Sequence, residues 1–259
     1  MRKINYSSVT EMPHERVPVE QLERISERYH WAAAYAKDKE VIECACGAGQ
    51  GANILNHISS SYIAGDLDGD LVSLSQKNNP NISFKIFDAS ILPFSDESFD
   101  VVLVCEAIYY FPNVSEFLQE AKRVLKKNGK VLIVTANPNL FDFNPSPHTH
   151  IYPSVINMGS YFSENGFKYI SAEGGTDTSK AGLRQQLLRP VKFIASRLNL
   201  IPGTMKGKSW LKKLFFGGNF ISMPLSVDYE ENKSILVKSI DMSKNDKKHK
   251  VLYFVGEKI

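Results

Sequence analysis

The chain has 259 residues, 43% hydrophobic and 23% charged, a balance that fits one large α/β domain or two small ones with a core of useful size. Its 31 lysines and arginines against 28 acids leave a net charge of +3, too small to argue for nucleic acid from the total. No apolar run reaches membrane-spanning length, the N-terminus has no apolar signal core, and Cys44, Cys46 and Cys105 form no disulfide framework, so the chain reads as cytoplasmic, its thiols small buried residues and its metal sites none.

The first element is a helix, "PVEQLERISERYHWAAAYAK". Pro18 suits its first turn, and Leu22, Ile25, Tyr29, Ala32, Ala33 and Ala36 form one apolar stripe. A strand–helix alternation follows. "EVIECA", "YIAGDLD", "ISFKIFDA", "FDVVLVCEAIYY" and "KVLIVTAN" read as strands; "QGANILNHIS", "GDLVSLSQKN" and "SEFLQEAKRVLKKNG" read as helices, the last stopped by Asn128-Gly129. "MGSYFSENGF" is a helix ending at Gly166, "KYISAEG" a sixth strand, and "KVLYFVGEKI" a seventh that reads as alternating. The earlier strands are continuously apolar, as in a parallel sheet covered on both faces, so the order predicts a doubly wound α/β fold. A long insert, 175–248, precedes the last strand at 249–259; residues 39–174 form the core and 1–38 a helical lid.

"VIECACGAGQG", Val41–Gly51, joins a strand to a helix through Gly47, Gly49 and Gly51. Helix N-terminal amides are unpaired and partly positive, and glycines let a ligand approach the backbone, so this junction is a site for a polar ligand. "GAGQGA" meets a relaxed dinucleotide pattern, with Asp66 or Asp68 for a ribose diol, which keeps NAD open. Glu43 argues otherwise: an acid before the glycines opposes a pyrophosphate and suits a ligand bearing ammonium and sulfonium charges.

"VIECACGAG" resembles the first motif of class I S-adenosylmethionine (SAM) methyltransferases, with Ala45 where the family's first glycine is usual. The turn accommodates that methyl if Ala45 keeps a negative φ. "YIAGDLDGDLV" is similar to the family's second strand, whose terminal acid binds the ribose hydroxyls. "FDASILPFSDESFDVVLV" resembles its third motif, and "EAKRVLKKNGKVLIVTAN" its helix and fifth strand. The resemblance implies a Rossmann-like, doubly wound seven-stranded sheet of order 3-2-1-4-5-7-6 with the last strand antiparallel. It implies SAM as cofactor, held by Glu43, Ala45, Cys46, Gly47, Gly49, Asp66, Leu67, Asp88 and Ala89. Asp68 is the alternative ribose acid or a helix cap. In many relatives an N-terminal helix covers SAM, and here Arg28 or Tyr29 would contact its carboxylate.

Methyl transfer from a sulfonium is a direct displacement that requires alignment and exclusion of water, with a general base for an oxygen nucleophile of high pKa. "CEAIYYF" supplies Glu106, as base or SAM contact, with Tyr109 and Tyr110 as substrate walls or aromatic packing. "FNPSPHTHIYP" supplies His148 and His150 as further candidate bases. The combination of these segments resembles a branch of bacterial methyltransferases associated with surface-polysaccharide synthesis. That branch implies O-methylation of a sugar, free, nucleotide-bound or lipid-linked, with C-methylation of a quinone or lipid ring and SAM binding without turnover as alternatives. From Thr178 to Val227 the chain has no acid; over 180–216 it is a basic amphipathic stretch, with Pro190 as a kink or helix start. It reads as a substrate cap, as a peripheral contact with an anionic membrane, or, least of the three, as a nucleic-acid contact.

Overall fold

In the computed structural model, which describes residues 9–180 and 220–259, a short strand β1 (Arg16–Pro18) runs directly into helix α1 (Val19–Ala36). The alternation continues through β2 (Glu40–Cys44), α2 (Ala52–Ile58), β3 (Ser61–Asp66), α3 (Gly69–Asn78), β4 (Ser83–Ile86) and β5 (Phe99–Cys105). Then come α4 (Val114–Val124), β6 (Leu125–Ala136), α5 (Val155–Glu164) and β7 (Phe167–Asp177). The chain re-enters the described region with β8 (Phe220–Ser222), β9 (Lys238–Ser239) and β10 (His249–Lys258).

The main sheet has the order β4-β3-β2-β5-β6-β10-β7-β9. Without the two-residue edge strand β9, this is the expected seven-stranded 3-2-1-4-5-7-6 arrangement. β4, β3, β2, β5 and β6 are mutually parallel, and β10 is antiparallel to both β6 and β7. The fold is therefore the doubly wound, Rossmann-like methyltransferase fold. Successive strand residues serve opposite faces: Val41, Leu103 and Val134 pack with Ile25, Tyr29 and Leu55 of α1 and α2, while Ile42, Val104 and Ile133 pack with Phe117 and Phe162 of α4 and α5. Both faces are covered, which is why these strands are apolar throughout. The connections diverge between β2 and β5, and their carboxyl ends leave the crevice used by ligands in such sheets.

Several local expectations are corrected. Helix α4 stops at Val124, not at Gly129; Leu125 already pairs with Phe99, and Lys126, expected in the last turn, instead bonds Glu40 and Asp100. β5 ends at Cys105, and Ile108–Tyr110 is a 3-10 turn rather than more strand. The last strand does not alternate in burial: β10 lies between β6 and β7 and is buried continuously from Val251 to Gly256. β7 crosses the expected 174/175 boundary and runs to Asp177, and β9 of the insert joins the main sheet. A separate antiparallel pair, β1 with β8, ties the N-terminal segment to the insert. The basic stretch with Pro190 lies largely outside the described residues. Among the described residues no helix is long and apolar enough to cross a membrane.

Candidate active site

A cavity of about 840 Å³ opens at the carboxyl ends of the central strands. One end is lined by Ala45, Cys46 and Gly47 after β2, Asp66 and Leu67 at the end of β3, and Asp88 and Ala89 after β4. Cys105 and Glu106 at the end of β5 form its middle. The far end is built from Tyr109, Tyr110 and Phe111, with Asn144, Ser146, His150 and Tyr152 of the loop after β6. Residues 9–11, 15–18 and the α1 side chains Gln21, Arg24 and Arg28 cover it.

The glycine loop turns through left-handed backbone at Ala45 (φ 57°), Gly47 (φ 59°) and Gly49 (φ 73°). The negative φ expected for Ala45 is therefore not found. A methyl-bearing residue in this region costs roughly 1–2 kcal/mol. Ala45→Gly is expected to raise stability by about 0.5–1 kcal/mol, the relief of strain less the greater chain entropy of glycine when unfolded; urea melts of the two proteins measure this. Of the three glycines only Gly47 lines the cavity, where a Cβ would lie 3.1 Å from Thr10. Gly49 packs against Ser75. Gly51 serves the core: a Cβ there would fall 2.1 Å from the Tyr29 ring.

Glu43 does not line the cavity. It is buried beneath the loop, with one oxygen accepting from Tyr29 Oη (2.7 Å) and the other from Tyr62 Oη. Burial pushes its pKa up, and the two phenols pull it back. The expectation that Glu43 meets a ligand's positive charge is thus corrected: its carboxylate lies outside the cavity lining, beneath the loop, where it ties α1 and β3 to β2. Tyr29 and Arg28 both line the cavity, Tyr29 bonded to Glu43 and Arg28 to Glu11.

Asp66 sits at the wall of the cavity. Its Oδ2 accepts from the Gly47 amide (3.0 Å) and its Oδ1 from the Asp68 amide (2.9 Å), so the carboxylate also holds the glycine loop. Burial raises its pKa against those amides. Asp68 is the N-cap of α3, accepting from the Asp70 amide, and is not a lining residue. Asp88 accepts from the Ser90 amide (2.8 Å), with Ala89 next to it. Arg28 is paired with Glu11, whose carboxylate also accepts from Gln21 and whose carbonyl accepts from Gln50; the buried Arg28 Nε has no partner.

At the acceptor end, Glu106 has φ 52° and accepts from Tyr109 Oη (3.0 Å). Tyr109 stacks on Tyr152 at 4.2 Å and 22°, and Phe143 packs edge-on against Tyr152. The His150 amide donates to the Tyr109 carbonyl (2.8 Å), which fastens the loop to the 3-10 turn. His150 lines the cavity; His148, on the same exposed loop with left-handed backbone (φ 65°), does not. Glu11 and Tyr152 were not singled out from sequence. Each lies in a segment that was, yet nothing in local spacing marks an acid reaching back to α1 or a tyrosine stacking 43 residues away. All three cysteines are free and buried, Cys46 and Cys105 facing the cavity, and burial raises their pKa values. Among the described residues no group of three or more His, Cys, Asp or Glu side chains is arranged to hold a metal.

Residues 42–133 match the methyltransferase domain family. The chain is 40% identical over 117 residues to the phthiotriol/phenolphthiotriol dimycocerosates methyltransferase 1 of Mycobacterium ulcerans, a match covering 43% of this chain and 43% of that protein. It is 36% identical over 116 residues to a fatty-acid O-methyltransferase of Mycolicibacterium smegmatis, covering 42% of each. The matched region is thus under half the length of these relatives. In fold the chain is similar to the YcgJ protein of Bacillus subtilis, with TM-score 0.58 and 17% identity, covering 91% of this chain and 98% of that one.

Proposed function

We propose that this chain, which carries a methyltransferase domain over residues 42–133, is a SAM-dependent methyltransferase that methylates an oxygen of a lipid-like small molecule. The observation that carries the reading is the single cavity joining two carboxylates and a glycine turn at one end to an aromatic wall at the other. The residues present fit SAM. Gly47 allows close approach to bare backbone, Asp66 and Asp88 offer two separate acceptor groups, and Arg28 keeps a buried Nε without a partner. Asp66 would hold the ribose hydroxyls, with Leu67 beside it; Asp88 and the Ala89 amide would hold the adenine, and Arg28 the amino-acid carboxylate. Bound SAM supplies a methyl group made electrophilic by a sulfonium.

This chain's own groups then orient the acceptor and receive its proton. The stacked Tyr109 and Tyr152 form an apolar wall that excludes water from the acceptor. Glu106 would take the proton that the acceptor hydroxyl gives up on methylation. Burial raises the Glu106 pKa, which strengthens it as a base; Arg28 and the Tyr109 hydroxyl pull in the other direction. The names of the two relatives, a phthiotriol and a fatty-acid methyltransferase, favour a lipid-like acceptor. The sugar acceptor expected from the narrower resemblance is one competing reading, and C-methylation of a quinone or lipid ring is the other.

Two measurements test this. S-adenosylhomocysteine at 100 times its dissociation constant should stabilise the protein by about 2.7 kcal/mol in thermal melts, with NAD giving no shift. Asp66→Ala should weaken that binding by about 1.5–3 kcal/mol through loss of a charge-assisted contact, while Asp68→Ala should cost about 1 kcal/mol of stability through the lost cap. Labelled methyl transfer from SAM into a lipid extract but not into nucleotide sugars is the expected result; the reverse would establish the sugar reading.

A further inference from the structure

The face of α1 that looks into the cavity carries Gln21, Arg24 and Arg28, three and four residues apart along one stripe. Gln21 and Arg28 are both engaged by the Glu11 carboxylate, one at each oxygen. Arg24, between them and half-buried, makes no hydrogen bond or ion pair with any described residue. The acids whose charge it feels are committed elsewhere: Glu106 accepts from Tyr109, and Glu27 accepts from the Leu236 amide. Residues 1–8 and 181–219 contain no aspartate or glutamate, so no side-chain carboxylate can come from them either.

A guanidinium stays charged at any working pH, and holding its donors partly away from water without an acceptor is costly. The guanidinium donors of Arg24 have no oxygen acceptor among the described residues, and Arg24 lines the same cavity as Tyr109 and Tyr152.

We propose that Arg24 binds an anionic oxygen group, a carboxylate or a phosphate, borne by the acceptor. This rests on the methyltransferase reading and narrows its substrate class to an acidic amphiphile: the apolar part lies against Tyr109 and Tyr152 and the anion against α1. The fork of guanidinium donors suits either group.

The test is calorimetric titration of the full chain, saturated with S-adenosylhomocysteine, with octanoate, octyl phosphate and 1-octanol. At least one anion should bind about tenfold or more tightly than octanol, and the better of the two distinguishes a free carboxylate from a phosphate headgroup. Arg24→Gln should abolish the preference and leave the affinity for S-adenosylhomocysteine unchanged; Arg24→Lys should retain part of the preference. Octanol binding as well as both anions, neither anion binding, or a preference that survives Arg24→Gln would overturn the proposal. Should Arg24→Gln fail to fold, the wild-type comparison and the lysine variant still decide. Product binding without anion preference defeats this inference alone, whereas failure to bind S-adenosylhomocysteine defeats the methyltransferase reading beneath it.

Discussion

Glu106→Gln is expected to lower turnover by about 10²- to 10⁴-fold, the usual contribution of a general base, while the affinity for S-adenosylhomocysteine changes little. Glutamine keeps the shape and can still accept from Tyr109 Oη, but it cannot take a proton. The pH profile adds a second reading. A base acts in its ionised form, and burial raises the Glu106 pKa, so activity should climb with pH along a limb displaced above the ordinary carboxylate range. That limb should vanish in the glutamine variant. His150→Ala is the control, since His150 also lines the cavity; a loss of turnover there with Glu106→Gln unaffected would transfer the base to the loop. Loss of product affinity with turnover intact would make Glu106 a cofactor contact.

Glu43→Ala is expected to cost about 2–5 kcal/mol of stability, because it strands two buried phenols and leaves a void under the glycine loop. Glu43→Gln should behave differently. Its carbonyl accepts from Tyr29, and its amide donates to the Tyr62 oxygen, so both phenols stay engaged. Burial holds the folded-state pKa of Glu43 above its unfolded value, so between the two the folded protein binds more protons. The group's contribution to stability is therefore greatest below the unfolded value and declines as pH rises through the folded one. In urea melts from acid to neutral pH, the glutamine variant should lack this decline and match or exceed wild type at pH 7. A glutamine variant as unstable as the alanine one would show that the charge itself is required.

The strand order was legible through the family that the contiguous motifs resemble, and many element limits through periodicity. α3 occupies the segment expected for it, Gly69–Asn78. The end of α4 was not legible, because the Asn-Gly stop signal lies past the point where Leu125 is drawn into pairing with Phe99, 26 residues earlier. Similarly, the buried course of β10 depends on two neighbours distant in the chain rather than on its own pattern. At the site, Asp66 and Asp88 were named from the motifs that resemble the family's, and both line the cavity. The exception is Glu43: its residue type is compatible with either a ligand or a pair of tyrosines, and only the approach of Tyr29 and Tyr62 decides. Glu11, Tyr152 and the unpaired state of Arg24 are relations across the fold and have no local signature.

The position of β10 also bears on how the protein is made. It bonds on one side to β6 and on the other to β7, both of which leave the ribosome earlier. Until it arrives, β6 and β7 have no partner in the gap between them and present unpaired edges to other chains. Assembly of the sheet therefore cannot proceed strand by strand from one end. β7 joins the rest of the sheet only through β10, so the β6 edge stays unpaired until residues 249–258 have been made, which places the aggregation hazard in the nascent state rather than in the finished molecule.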